Sequence, residues 1–490
     1  MLKHFKNTIG KSEKKIENIP SLEYVLHLDV SEAGTLHLSD VGFRGFSQLM
    51  FLNMSRTRVS AISNSWFSRS NNLQTLDISW NKLFSLKEHS LRTLSKIIVA
   101  NFSHNEIEDI ETFAFDAMRQ MRVLDLSHNR IASLFDLGDL PALEVLNLDE
   151  NFLVELPPNG FSKLRRLQTL TLSQNTLSVL HDACFDGLDQ LKLLNISGNR
   201  ISTIRKGIFE GLSTIRLQQL DFNNNDISLI ELNDFQDLHS VQILDLSGNS
   251  IKDLQEHSFY GLNSLRKLYL FNNDILNMQR GTFAALQNLE ELDLSGNSLQ
   301  SLSADVFTNS AGTSPTKLRK LFIRRNNLIV IQPHTFDRIL NLDYLSVAFN
   351  SISSLDENLF TPLRKLKKLH INHNNLEDLP AGLFNTTLRL QELYIDYNKL
   401  SFFPDTSNDF SDLIKVSLVG NPWQCPCLNE ILDWVKIRGI EYKRATDSPF
   451  FSGLKPICVV TPTNSCIRSR ETAKEFRIAE KYENSLNLKM

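Results

Sequence analysis

Several absences narrow what this 490-residue chain can be. No stretch of about 18 consecutive apolar residues occurs, so the sequence gives no sign of a membrane-spanning helix. The patterns of a nucleophile elbow, a phosphate-binding loop, an HExxH zinc site and a dinucleotide fingerprint are also missing. The sequence therefore predicts no catalytic, cofactor or metal site, and we expect that the protein is not an enzyme. The net charge is only −4, which argues against a general affinity for nucleic acid or anionic membranes.

Two residue types are unevenly used. There are only five cysteines, and four of them follow residue 424, which suggests one local disulfide module. Phenylalanine occurs 31 times, against eight tyrosines and four tryptophans. This excess suggests one structural slot that Phe fills repeatedly.

The dominant feature of the chain is an internal repeat, LxxLxLxxN, whose nine positions we number 1 to 9. Most copies follow one another at steps of 24 residues, and Phe recurs ten residues after position 9, as at Phe115 and Phe185. We place position 9 at 17 residues, of which the first two are degenerate. They are Ser31, Thr57, Asn81, Asn105, Asn129, Asn151, Asn175, Asn199, Asn225, Asn249, Asn273, Asn297, Asn326, Asn350, Asn374, Asn398 and Asn421.

Each position of the repeat has a physical reason. Alternating leucines put their side chains on one face of a short strand, and neighbouring repeats stack these strands into a parallel sheet. Asn at position 9 can donate and accept hydrogen bonds, so it can pair backbone groups where the chain leaves the strand. No repeat buries its apolar face alone, so the array needs its neighbours and needs caps at its ends.

The pattern resembles the leucine-rich-repeat family, specifically the 24-residue class of animal extracellular proteins. The resemblance implies an α/β solenoid that is curved and right-handed, with a parallel sheet on its concave face. We expect about 17 repeats over residues 22–421, preceded by an N-terminal segment, 1–21, for which a truncated cap is one interpretation. A charged tail, 467–490, is expected at the other end.

The residues between the last repeat and the tail, 422–466, resemble the cysteine-flanked cap of extracellular members. The spacing is C-x-C-x30-C-x7-C, and the segment NPWQCPCLNEILDW carries a likeness to Toll-type receptor ectodomains and related secreted insect proteins. The family's pairing implies the disulfides Cys425–Cys458 and Cys427–Cys466. Zinc is the rival interpretation of four cysteines, although the spacings of one and seven differ from the usual C-x2-C pairs.

Disulfides imply an oxidising compartment, so we expect an extracellular, secreted protein. Four glycosylation sequons agree with this, at Asn53, Asn101, Asn195 and Asn385. The N-terminus is basic but has no apolar run of about 7–15 residues, so it is not a secretory signal peptide. We therefore expect that the leader is missing from this sequence.

A repeat scaffold binds through the variable positions of its strands, and these change character along the chain. In the first ten repeats they are mostly small and polar, so we expect His104 and His128 to be solvated. From the eleventh repeat they include aromatic, histidine and arginine side chains, which are typical anchors of protein interfaces. The predicted partner-binding residues are Tyr269, Phe271, Phe322, Arg324, Arg325, Tyr344, Phe349, His370, His373, Tyr394 and Tyr397.

The predicted function is therefore extracellular recognition, as in receptors of innate immunity or cell adhesion. The expected partner is a protein ligand, with or without glycans, or a co-receptor. A structural matrix protein and an intracellular scaffold are the alternatives. Nucleic acid is disfavoured because acids such as Glu291 and Asp293 lie within the basic patch. Homodimerisation through the same face is a further alternative. Cys184 is either a small packing residue or a partner in an intermolecular disulfide.

Overall fold

The computed structural model describes residues 4–6, 22–32, 42–212, 216–309, 311–403, 410–442, 451–452, 455–456, 458–461 and 465–468. The chain forms two compact units, Met1–Asp245 and Leu246–Met490. Of the predicted N-terminal segment and charged tail, only residues 4–6 and 467–468 are among the described residues. Both units have the predicted fold, in which leucine-rich repeats stack on a parallel sheet.

The sheet of the first unit contains one short strand from each described repeat. Its strands are His4–Lys6, His27–Asp29, Phe51–Asn53, Thr75–Asp77, Val99–Asn101, Val123–Asp125, Val145–Asn147, Thr169–Thr171, Leu193–Asn195, Gln219–Asp221 and Ile243–Asp245. Two parallel pairs lie outside this sheet, Ser85–Leu86 with Asp109–Ile110 and Glu155–Leu156 with Val179–Leu180. The strand at residues 4–6 precedes the first repeat that the sequence pattern predicts.

The second unit repeats the same arrangement. Its sheet strands are Lys267–Tyr269, Glu291–Asp293, Lys320–Phe322, Tyr344–Ser346, Lys368–His370, Glu392–Tyr394, Lys415–Ser417 and Glu441–Tyr442. Its outer parallel pairs are Asp253–Leu254 with Asn277–Met278 and Ser301–Leu302 with Val330–Ile331. The cap adds an antiparallel pair, Phe451–Ser452 with Lys455–Pro456.

The leucine at position 4 explains why each strand sits where it does. Leu76, for example, is fully buried between two half-buried neighbours, so the strand has one core face and one open face. The chain returns from strand to strand mostly through turns and the short 3-10 helices Leu22–Tyr24, Glu88–Ser90, Lys206–Phe209 and Ala304–Phe307. Because turns and 3-10 helices make most of these connections, the described residues contain little α-helix.

The asparagines at position 9 form the predicted hydrogen-bonded ladder. Asn105 is buried, and its amide Nδ2 donates to the carbonyls of Ile78 (3.0 Å) and Phe102 (2.9 Å). Its Oδ1 accepts the backbone N–H of Leu83 at 3.0 Å, so one side chain ties its own turn to the preceding repeat. The degenerate Thr57 keeps one of these bonds, from its hydroxyl to the carbonyl of Met54 at 2.7 Å.

The recurring phenylalanines form buried stacks behind the leucine core. Phe161 and Phe185 lie parallel with ring centroids 6.4 Å apart, and Phe259 and Phe283 do so at 5.9 Å. Cys184 adjoins this stack and is completely buried, and its burial raises the pKa of the thiol to about 12. The packing role therefore accounts for Cys184, and a buried, protonated thiol is unsuited to an intermolecular disulfide.

The cap closes the core of the second unit. Its helix, Cys425–Arg438, buries Leu428, Ile431 and Val435 and ends at Gly439, whose φ of 66° is the left-handed conformation that glycine favours. The disulfides Cys425–Cys458 and Cys427–Cys466 are both formed, as the family resemblance implied, and this excludes the zinc interpretation.

Candidate functional site

The predicted partner-binding residues all lie in the second unit, on the open face of its sheet or at the adjoining strand ends. Repeat positions 3, 5 and 7 project from the strands, and position 8 lies where the chain leaves the strand. The structure arranges eight of the eleven residues into two rows, which we call the face row and the edge row. The face row contains Phe322, Tyr344, His370 and Tyr394, and the edge row contains Arg325, Phe349, His373 and Tyr397.

The face row is a continuous series of ring contacts across four strands. The centroid distances are 4.8 Å from Phe322 to Tyr344, 5.0 Å from Tyr344 to His370 and 4.3 Å from His370 to Tyr394. The guanidinium of Arg324 lies 5.9 Å from the ring centroid of Phe322. All four rings are half-buried, so each keeps an accessible part on the open face.

His370 occupies the centre of this row and is held neutral. The pKa of His370 is lowered to about 4, chiefly by burial and also by the nearby charges of Lys368 and Arg324, against the opposing charge of Glu392. The Nδ1 atom of His370 lies 3.2 Å from the Tyr344 hydroxyl, whereas its buried Nε2 atom has no hydrogen-bond partner. An unpaired buried nitrogen is a group that an incoming polar partner can satisfy.

The edge row is more tightly stacked. Phe349 and His373 are parallel with centroids 4.0 Å apart, and His373 and Tyr397 follow at 4.2 Å. The guanidinium of Arg325 lies 5.5 Å from the Phe349 ring, a cation–π distance. Phe349 is 42% exposed, although it is a large apolar side chain.

The backbone at position 8 is unusual. From Arg56 onward every residue at this position has a positive φ, as in Phe349 (56°), Tyr397 (52°) and Gly296 (68°). Glycine and asparagine adopt this conformation most easily, and other residues are strained by roughly 1–2 kcal/mol. Several repeats do have Gly or Asn here, so Arg, Phe, His and Tyr in the four successive repeats of the edge row depart from the residues that the backbone favours.

Tyr269 and Phe271 form a separate aromatic pair, with ring centroids 6.4 Å apart. The strand Glu291–Asp293 lies between their strand and Lys320–Phe322, so the structure does not bring this pair into the face row. The Tyr269 hydroxyl lies 3.4 Å from Glu291.

The basic residues that flank the aromatic rows are largely neutralised. The Lys320 ammonium lies 3.1 Å from Glu291, and that of Lys368 lies 2.6 Å from Glu392. Each of these lysines thus has a Glu at position 3 of a neighbouring repeat, which leaves Arg324 and Arg325 as the exposed cations nearest to the rings.

The expectation that His104 and His128 are simply solvated is wrong, because both are half-buried in a stack at position 8. An amino-terminal edge row of Arg56, Trp80, His104 and His128 stacks there, with centroid distances of 3.8 Å from Trp80 to His104 and from His104 to His128. Arg56 lies 4.4 Å from the Trp80 ring, and the Nδ1 of His128 lies 2.8 Å from Glu150. The 24-residue spacing of the rings was the signal that could have revealed this row.

The four sequons have different surroundings. Asn53, Asn101 and Asn195 are half-buried at strand position 5, where each Oδ1 accepts the backbone N–H of the residue two positions later at 2.9–3.0 Å. Asn385 lies in an exposed turn away from the sheet. Asn385 is therefore the most accessible of the four.

Two features are absent from the described part of the chain. No helix there is long and apolar enough to cross a membrane. No group of three or more His, Cys, Asp or Glu side chains is placed to hold a metal ion within the same residues.

The repeats, ladder and cap define the class of protein. A family profile described as "Leucine rich repeat" matches residues 24–83, 71–131, 141–201, 165–227, 191–251, 215–275, 271–312, 316–376 and 364–422. A second, "Leucine Rich repeats (2 copies)", matches 119–160. The chain belongs to the leucine-rich-repeat family. No curated protein sequence matches it.

Solved structures with the same fold include three complexes. The TLR13–ssRNA13 complex is 24% identical with a TM-score of 0.68, and the match covers 87% of this chain and 63% of that one. The Drosophila Toll–Spatzle complex is 19% identical with a TM-score of 0.70, covering 89% and 63%. The LRIM1/APL1C complex is 20% identical with a TM-score of 0.59, covering 80% and 65%. The chain thus spans about two thirds of the length of these proteins.

Proposed function

We propose that this protein is an extracellular recognition module that binds a protein partner, either a ligand or a co-receptor, through the face and edge rows of its second unit. The observation that carries the proposal is the edge row itself. It places large rings at a left-handed backbone position for which six other repeats use Gly or Asn.

Stacking alone explains part of why large rings occupy this left-handed position. An aromatic pair contributes about 0.5–1.5 kcal/mol beyond its burial, which roughly offsets the left-handed strain. Glycine at the same position would give similar stability without exposing a Phe ring. Strained residues persist mainly where function needs them, and an exposed apolar ring is stabilised when a partner covers it.

The composition of the two rows supports a protein partner. Aromatic and arginine side chains are the commonest energetic anchors of protein interfaces, and here Arg324 and Arg325 flank the rings. The rows cross four strands that are about 4.8 Å apart, so the surface suits a macromolecule better than a small molecule. Toll with Spatzle is an example of this fold in complex with a protein.

Two observations support an extracellular location. The two cap disulfides require an oxidising compartment. The sequon at Asn385 lies in an exposed turn, where a glycan can be attached.

The test compares two matched variants as baits in affinity capture from the extracellular fluid of the source organism. Arg325→Ala/Phe349→Ala removes the cation–π pair of the edge row, and Arg56→Ala/Trp80→Ala removes the corresponding pair of the amino-terminal edge row. A partner captured by the wild type and by the control, but lost at least about tenfold from the edge-row variant, supports the proposal. Equal capture by both variants contradicts it, provided both melt like the wild type.

A further inference from the structure

A cavity of about 530 Å³ lies at the edge of the second unit's sheet where the strands begin, away from the edge row. It is lined by side chains from the positions just before and just after the first leucine of each repeat. We call it the cationic cleft, and its lining residues are Glu290, Lys317, Arg319, Asn341, Asp343, Lys365, Lys367 and Arg389. Five of these side chains are cations and two are carboxylates, and none is aromatic or aliphatic.

Hydrogen bonds and ion pairs within the protein compensate only part of this positive charge. The Nε of Arg319 donates to Asp343 at 2.9 Å, and this ion pair uses the cleft's best-placed carboxylate. The Lys317 ammonium donates to the Asn288 amide at 2.7 Å, a neutral acceptor that leaves the charge uncompensated.

The remaining cations are concentrated in two successive repeats. The Lys365 ammonium donates to the neutral Asn341 amide at 2.5 Å, whereas Lys367 and Arg389 have no side-chain partner within the described residues. Like charges on adjacent repeats repel, and a concave wall increases their field above that of a flat surface. An anion that bridged the two repeats would stabilise this arrangement.

The arrangement of the cations in the cleft also favours an extended ligand over a compact one. At the position before the first leucine, three of four successive repeats carry a cation at strand spacings of about 4.8 Å, so these side chains form a track; the four residues are Lys317, Asn341, Lys365 and Arg389. A nucleic-acid strand needs rings on which its bases can stack, and a lipid needs an apolar wall, but the lining supplies neither. We propose that the cationic cleft binds a sulfated polysaccharide, with Lys367 and Arg389 contacting its sulfate groups.

The experiment measures binding of a size-defined heparin octasaccharide to the whole protein by calorimetry at about 0.15 M salt. The key variant is Lys367→Ala/Arg389→Ala. The matched control is Arg166→Ala/Lys192→Ala, which removes the same two charges from the same repeat positions of the first unit. We expect the key variant to lose affinity at least about tenfold, the control to bind like the wild type, and Lys367→Arg/Arg389→Lys to retain most of the affinity.

Three results would overturn the proposal. The first is the absence of octasaccharide binding to the wild type, and the second is an equal loss in the key variant and the control. The third is binding of a desulfated octasaccharide or of single-stranded DNA as strongly as the sulfated one, because the ligand class would then be wrong. All the substituted side chains are exposed, so the thermal unfolding of each variant should match that of the wild type.

Discussion

The ladder asparagine Asn374 offers a quantitative test of how the repeats are held together. Its Oδ1 accepts the N–H of the buried Ile352 at 3.1 Å, and its Nδ2 donates to the carbonyls of Val347 at 3.0 Å and Ile371 at 3.1 Å. Those carbonyls also accept bonds from the ladder asparagines Asn350 and Asn398. The substitution Asn374→Ala therefore leaves one N–H unpaired and removes one of two bonds from each carbonyl.

The expected loss follows from these partners. An orphaned buried N–H costs about 1–3 kcal/mol, and each of the two lost carbonyl bonds adds about 0.5–1 kcal/mol, so Asn374→Ala should destabilise by about 2–5 kcal/mol. Asn372→Ala is the matched control, because this half-buried asparagine faces away from the core and bonds mainly to the His373 ring, at 3.0 Å.

The assay is urea unfolding together with hydrogen exchange of the Ile352 amide. Neighbour-coupled repeats open locally, so Asn374→Ala should speed exchange at Ile352 by more than it shifts the global midpoint. A cost for Asn374→Ala no larger than that for Asn372→Ala, with unchanged exchange at Ile352, would refute the ladder argument.

Three further predictions concern single side chains. Phe349→Gly should change the free energy of unfolding by less than about 1 kcal/mol, because relief of left-handed strain offsets the lost stacking, and a larger loss in urea titrations would contradict this. The pKa of His370 falls from 6.5 to about 4 on folding, so its contribution to stability is complete above pH 6.5 and is lost as the pH falls towards 4. After allowance for solvent screening, the wild type should lose about 2 kcal/mol of unfolding free energy between pH 7 and pH 4.5 through this group. Paired urea titrations at the two pH values should show that His370→Phe abolishes this loss. Cys184 should resist thiol reagents until the protein unfolds, and Cys184→Ser should destabilise more than Cys184→Ala, as melting temperatures would show.

Much of the fold follows from the sequence because the repeat is a local pattern with one physical solution. Leu76 can be buried, and Asn105 can pair the backbone of the repeat before it, only if successive turns stack. The period alone therefore predicts the parallel sheet and the ladder. The disulfide partners of Cys425 and Cys427 came from the family resemblance, since spacing by itself leaves the pairing open.

The candidate site was less predictable because side chains at one repeat position are 24 residues apart in sequence. The list of variable residues contained both rows, but it did not show that Phe322, Tyr344 and His370 touch while Tyr269 lies apart. It also missed the row that begins at Arg56 and Trp80, since single aromatic residues among polar ones gave little signal until they were aligned.

The cationic cleft had no signal in the strand pattern at all. Its lysines and arginines occupy the turn before each strand, where charged residues usually point into solvent. Only the packing of one repeat against the next brings Lys367 beside Arg389. Such a site depends on the distance between neighbouring turns, which the sequence of one repeat does not contain.

The central claim, that the face and edge rows hold the partner, is tested most directly by footprinting these side chains. Hydroxyl-radical labelling of the protein with and without its captured partner reports the solvent exposure of each ring. The proposal predicts protection of Phe349, His373 and Tyr397 and unchanged labelling of Trp80 and His104. Protection of Trp80 and His104, with Phe349 labelled equally in both states, would contradict it.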